Sequence, residues 1–133
     1  MGILIDASVL IDAERRRIDL SVKVKGREGE EFFLSVITAS ELLHGVWRAR
    51  ESAIRSRRAA FVEGLLERFP LLPIDLTIAR IHAQLWAELE SKGVSVGPHD
   101  SWVAASCIAH GYTLVTSDVE DFKRIPGLSV EQW

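Results

Sequence analysis

The stretch Gly2-Ile3-Leu4-Ile5-Asp6-Ala7-Ser8-Val9-Leu10-Ile11-Asp12-Ala13-Glu14-Arg15-Arg16-Arg17 decides how the rest of the chain is read. Its apolar run Ile3-Leu4-Ile5 is continuous, as in a strand buried on both faces of a parallel sheet. The strand, Ile3–Asp6, closes on a carboxylate. A helix begins near Ser8 and ends in the run of three arginines. Strand, acid, helix is the opening of a βα unit, and the same order recurs downstream.

Strand two covers about Glu31–Val36, after a polar, glycine-bearing stretch at 21–30 that reads as a turn or loop. Thr38-Ala39-Ser40-Glu41 has the capping-box form, with Thr38 as N-cap. The helix that follows carries Leu42, Leu43, Val46 and Trp47 on one face. A second helix runs from about Ser52 to Arg68, with Ala60, Phe61, Leu65 and Phe69 inward. Pro70-Leu71-Leu72-Pro73-Ile74 is a short proline-bounded strand near an edge. Asp75 caps a helix whose Ile78, Ile81, Leu85 and Leu89 keep helical spacing until Gly93 stops it. The next helix runs from about Pro98 to His110, with Gly111 as its stop. Strand Tyr112–Thr116, a helical turn from about Val119 and a last strand at Leu128-Ser129-Val130 complete the chain. The alternation predicts an α/β fold with a mainly parallel sheet. With 133 residues and neither a repeat nor a linker, residues 1–133 are expected to form one domain.

A hydrophobic fraction of 47% is ordinary for a globular chain and argues against disorder. The net charge of −3 does not announce a nucleic-acid binder. Cations bound at a cluster of acids would cancel much of that charge and leave the remaining surface locally positive. The single cysteine, Cys107, excludes an internal disulfide framework and a four-cysteine zinc site, and its place on an apolar helix face predicts a buried, inert thiol. No apolar run approaches membrane-spanning length and no basic leader precedes one, so a cytoplasmic chain without membrane contact is expected.

Asp6, Glu41 and Asp118 each follow a strand, and Asp100 lies early in the helix that leads into the strand before Asp118. Carboxylates gathered at one sheet edge repel one another unless protons or cations neutralise them. Hard oxygen donors of this kind suit Mg²⁺ or Mn²⁺. The expectation is a divalent-metal site for phosphodiester hydrolysis. Each acid alone has an ordinary explanation: Asp6 as a cap, Glu41 in the capping box, Asp100 favoured by the helix dipole, Asp118 as N-cap of the turn carrying Asp121. Together they favour a site, because open α/β sheets bind ligands at the carboxyl ends of their strands. Ser8 and Thr116 are placed to orient carboxylates or water, with turn hydrogen bonding as their other role.

The histidines carry less. His99 adjoins Asp100 but reads as a solvent-facing helix start. His44, His82 and His110 lack a zinc-site spacing and are assigned no chemistry. No nucleophile elbow and no phosphate-binding loop is present. Basic residues cluster at Arg15-Arg16-Arg17 with Lys23, Lys25 and Arg27, and at Arg48, Arg50, Arg55, Arg57 and Arg58. They fit a polyanion-binding rim around the acids, or a solvated helix face.

On five segments taken in order the chain resembles the PIN-domain ribonucleases, in particular the toxins of VapBC-type pairs. The segments are Ile3–Ile11, Ser35–Leu42, Pro98–Ala105, Thr113–Asp118 with Asp121-Phe122, and Ile125–Leu128. The resemblance implies a three-layer α/β/α sandwich, often a homodimer, whose acids hold one or two Mg²⁺ or Mn²⁺ ions. It maps the site onto Asp6, Glu41, Asp100 and Asp118, with Ser8 and Thr116 as polar helpers and Asp121 as an accessory acid. It further implies cleavage of single-stranded or looped RNA, often tRNA or ribosomal RNA, and silencing by an antitoxin whose tail covers the site. A haloacid-dehalogenase-type phosphatase is disfavoured because Ser8 stands where that chemistry wants a second aspartate. A non-catalytic module that holds RNA or a protein partner is the alternative from another class. Trp47, Phe61 and Leu65 offer apolar surface for self-association, an ordinary helix–sheet core being their other explanation.

Overall fold

The computed structural model describes residues 1–133 as one five-stranded sheet with helices on both faces. The strands are β1 (Gly2–Ile5), β2 (Glu31–Ser35), β3 (Leu71–Leu72), β4 (Thr113–Thr116) and β5 (Ser129–Gln132). Their order is β3-β2-β1-β4-β5, and every pairing is parallel. The helices are α1 (Ala7–Glu14), α2 (Leu20–Val24), α3 (Val36–Arg48), α4 (Ser52–Arg68), α5 (Leu76–Ser91), α6 (Pro98–His110) and α7 (Val119–Phe122).

Alternation along the central strands sorts the core into two halves, as the pleat requires. Ile3 and Ile5 pack with Val9, Leu10, Leu42, Val46, Val62 and Leu65 of α1, α3 and α4. Leu4 points the other way, toward Leu85, Leu89, Val103, Cys107 and Phe122 of α5, α6 and α7. The result is the α/β/α sandwich expected. The edge strand β3 has shrunk to two residues between its prolines, which cannot donate to a ladder. Gly2 is required by packing: a Cβ there would run into the ring of Tyr112, which stacks on Phe33 at 5.1 Å. Gly111 ends α6 in the left-handed region at φ 68, where a side chain is strained.

Four local expectations need correction. Within 21–30, residues up to Val24 belong to the short helix α2: Asp19 accepts from the Ser21 backbone N–H at 3.0 Å, and Leu20 is buried. The cap of α3 is Ser35, whose hydroxyl accepts from the Ile37 N–H at 3.0 Å, so Thr38 falls inside the first turn and no capping box forms. Trp47 turns outward, 73% exposed, while Leu42 and Val46, one turn apart, take the inward face. On α4 it is Val62 that is buried, and Ala60 faces solvent.

No helix is long and apolar enough to cross a membrane. Of the three residues with apolar surface to spare for self-association, Leu65 is buried, Phe61 packs against the core, and Trp47 alone is exposed.

Candidate active site

The chain passes from β1 out to β2 and β3, then returns to lay β4 on the other side of β1. Such a reversal opens a crevice beyond the carboxyl ends of the two strands flanking it. Asp6 stands at the end of β1, and Thr116 and Asp118 at and just beyond the end of β4. The topology therefore brings residues 110 positions apart into hydrogen-bond contact.

Asp6 is 6% exposed, and its Oδ2 accepts two hydroxyls, from Ser8 at 2.6 Å and from Thr116 at 2.9 Å. The backbone aims those hydroxyls. The Ser117 N–H donates to Ser8 Oγ at 3.1 Å, and the Asp118 N–H donates to Thr116 Oγ1 at 3.0 Å. With their lone pairs engaged from behind, both hydroxyls point their protons at one carboxylate oxygen. Oδ1 of Asp6 has no protein partner and stays available to the crevice. Ser8 and Thr116 thus donate to the same carboxylate oxygen.

The capping roles of Asp6, Glu41 and Asp118 fall away, while Asp100 keeps its place in the first turn of α6. Asp6 and Asp118 occupy N-cap positions, yet neither side chain makes a cap hydrogen bond. Glu41 has no capping-box partner once Ser35 takes the cap. Instead the acids act on one another. Burial raises the pKa of Asp100 to about 6, reinforced by Asp6, Asp121 and Asp118 and opposed by His99. Glu41 is raised by burial, then by Asp6 and Asp100, with His99 again opposing. Asp118 is raised by burial, Asp121, Asp6 and Asp12. All four acids, with Asp121, therefore share one electrostatic neighbourhood. They do not stand close enough, three together, to close round an ion as they are.

A doubly charged, hard cation fits that donor set. The donors are all oxygens, the half-buried ones cannot ionise cheaply, and no lysine or arginine is bonded to any of the four.

Two contributors had weak signals in the sequence. Asp12 reaches the pocket electrostatically because it lies one turn beyond Ser8 on α1, yet it looks like any helix-surface acid. His99 is exposed, as its position predicts, but its charge bears on both Glu41 and Asp100. Glu41 and His99 also line a cleft of about 560 Å³ between α1, α3 and α4, with Arg15, Arg48 and Arg58 on its walls. Most of the cluster arginines that make side-chain bonds are spent on the protein itself: Arg27 is bound to Glu30 and Glu131, Arg55 to the Ala49 carbonyl, and Arg58 to Glu14 and the Gly45 carbonyl. That leaves Arg15 and Arg48 unpaired on the cleft walls. His44 joins that cleft, while His82 and His110 lie in aromatic stacks away from the acids. Cys107 is fully buried and its thiol is pushed strongly up by burial, so it is inert as expected.

The model of the PIN domain matches residues 3–128. The chain is 37% identical over 130 residues to ribonuclease VapC1 of Rickettsia felis, an alignment covering 98% of this chain and 95% of that protein. It is 41% identical over 101 residues to the tRNA(fMet)-specific endonuclease VapC of Salmonella typhimurium, covering 75% of this chain and 74% of that one. Among solved structures it resembles the DNA-bound VapBC of Salmonella typhimurium, with TM-score 0.90 and 28% identity over 100% of this chain and 98% of that chain. VapBC2 of Rickettsia felis, bound to a promoter fragment, gives TM-score 0.88 and 26% identity over 100% of this chain and 99% of that one.

Proposed function

The chain belongs to the PIN-domain family, and from that premise we propose that it is a metal-dependent endoribonuclease, the toxin of a toxin–antitoxin pair. Residues 1–133 act as a single nuclease domain. The relatives named as ribonucleases and the neighbours solved as VapBC pairs support both the activity and a cognate antitoxin partner. The observation that carries the reading is the meeting of the β1 and β4 ends, where Asp6 is held by Ser8 and Thr116 and its charge, added to burial, raises the pKa of Glu41, Asp100 and Asp118. A purely binding role would leave that mutual repulsion without a purpose.

Asp6, Asp100 and Asp118 would hold one or two Mg²⁺ or Mn²⁺ ions, with Glu41 joining them and Asp121 in an accessory place. Such an ion, when bound, supplies Lewis acidity and positive charge for attack of water on an RNA phosphodiester. The protein does the positioning. Ser8 and Thr116 lock the Asp6 carboxylate in one rotamer, leaving Oδ1 toward the crevice. Half-burial of Glu41 and Asp100 keeps the site poorly hydrated, which strengthens every charge interaction within it. His99 tempers the repulsion between them.

The test is to map RNA ends produced by the chain in vitro with Mg²⁺, beside Asp6→Asn and an EDTA control. Discrete new ends are expected from the parent, with loss of at least about a hundredfold in rate for Asp6→Asn, the scale of removing a group essential to charge stabilisation. Undiminished cleavage by Asp6→Asn, or in excess EDTA, would overturn the assignment.

A further inference from the structure

The acids occupy one side of α6. On its other side, α5, the first turns of α6 and the segment 93–96 enclose a second cleft of about 600 Å³. That volume is within the range of small-ligand pockets, roughly 300–1,000 Å³. Its lining is mainly apolar, with the rings of His82, Trp86 and Trp102 beside Leu89, Val94 and Val96. His82 lies flat on Trp102, ring centroids 3.7 Å apart and planes 3° from parallel. Trp86, one turn beyond His82 on α5, leans across at 6.1 Å and 51°, and remains 61% exposed.

The imidazole is fixed in that plane. Ser101 donates its hydroxyl proton to the Pro98 carbonyl at 3.0 Å, so its oxygen receives His82 Nε2–H at 2.9 Å. Burial lowers the His82 pKa, so the ring is neutral at ordinary pH. No carboxylate or carbonyl accepts the indole N–H of Trp86 or Trp102, whereas Trp133 finds Glu131 at 2.7 Å. A stiff, neutral aromatic floor and a large exposed indole, in a cleft that Glu90 also lines, make a slot for a flat heteroaromatic ring.

We propose that this cleft is a nucleobase-stacking subsite, which receives an unpaired base of the RNA next to the phosphodiester held at the acids. The ligand's identity rests on the ribonuclease reading above; the slot itself rests on its geometry. Asp100 and Trp102 are two positions apart on α6, so their side chains leave the helix about 160° apart; Ser101 is buried, while Pro98 and His99 at the helix tip are exposed. The exposed tip of α6 at Pro98 and His99 is thus the ridge: His99 bears on Glu41 and Asp100 on one side, and Pro98 borders the aromatic cleft with Trp102 on the other. A strand laid over the ridge sets a phosphate on one side and a neighbouring base on the other. Recognition of single-stranded RNA works this way, by bases splayed onto aromatic side chains. Because every base has a π-face, this subsite favours unpaired over paired RNA before it favours any one base.

The experiment uses the full chain carrying Asp6→Asn, in Mg²⁺, to keep the probe intact. Binding of a fluorescein-labelled oligoadenylate octamer is compared by anisotropy with an abasic ribose-phosphate octamer of equal charge. Trp86 is exposed, so Trp86→Ala leaves the core untouched. It is expected to weaken the oligoadenylate about tenfold while leaving the abasic chain unchanged, and Trp86→Phe to restore most of the loss. Equal weakening of both octamers, or of neither, overturns the subsite. So does a concentration-dependent dimer that Trp86→Ala dissociates, since a second copy would then fill the cleft. Cleavage of RNA by the unsubstituted chain, run in parallel, reports on the nuclease reading alone.

Discussion

At the scale of single residues, the acids are legible because they stand at punctuation points, and their roles are separable by what holds each one. Asp6 is gripped by two hydroxyls, while Asp100 is left half-buried among like charges. That difference has a pH signature. The folded-state pKa of Asp100 is raised from 3.8 to about 6. Between those values the folded chain binds more protons than the unfolded one, so stability falls as pH rises through the window and stays lower above it. Asp100→Asn removes the ionising group. In Mg²⁺-free buffer its melting temperature is therefore expected to exceed the parent's at about pH 7, with the gap shrinking toward about pH 4. A gap independent of pH, followed by calorimetry across that range, would show that Asp100 is not strained by its neighbours. Thr116 and Ser8 were legible as helpers only through their distance from the acids along the chain. Their shared aim at one oxygen of Asp6 depends on β1 pairing with β4, which no local pattern encodes.

At the scale of elements, the continuous apolar runs give the parallel strands plainly, and Gly93 and Gly111 mark their helix ends well. The errors are of one kind. Where two residues compete for a cap, the local pattern does not choose: Ser35 wins over Thr38 because the last residue of β2 is already extended and can turn its hydroxyl onto Ile37. The cost is visible in Thr38, whose hydroxyl is buried without a partner. Short α2 was hidden because one buried leucine and a capping aspartate are too little signal against six polar or glycine neighbours. Gly2 shows a constraint with no sequence signal at all. Its lack of a side chain makes room for Tyr112, which continues the stack of Phe33 on one side and His110 on the other. Gly2→Ala is expected to destabilise the fold by about 1–3 kcal/mol, the usual cost of overpacking, as read from urea denaturation. An unchanged midpoint would mean that the ring swings aside freely.

At the scale of the whole molecule, the fold brings acids from distant parts of the chain into one electrostatic neighbourhood, which the proposed cation would compensate. The net charge of −3 conceals this, because it averages the acid pocket with the arginine-walled cleft beside it. Adding millimolar Mg²⁺ is expected to raise the parent's melting temperature progressively, since an ion that binds only the folded state stabilises it by mass action. Asp100→Asn should blunt that response. A parent whose melting temperature ignores Mg²⁺ and Mn²⁺ would argue that the crevice takes no ion. The aromatic cleft behind α6 went unread for the opposite reason: His82, Trp86 and Trp102 lie on two helices whose pairing in space only the tertiary structure reveals.

The stretch between α5 and α6, residues 92–97, is largely exposed and crosses no sheet. Asp6 and Glu41 precede it; Asp100 and Asp118 follow it. Severing the peptide bond after Gly93 would therefore partition the acids two and two. Each fragment on its own should be harmless to RNA, and mixing them should recover hydrolysis as β4 slides back against β1. That makes the loop a natural seam for a split reporter, one whose signal rises only when two fused partners bring the halves together.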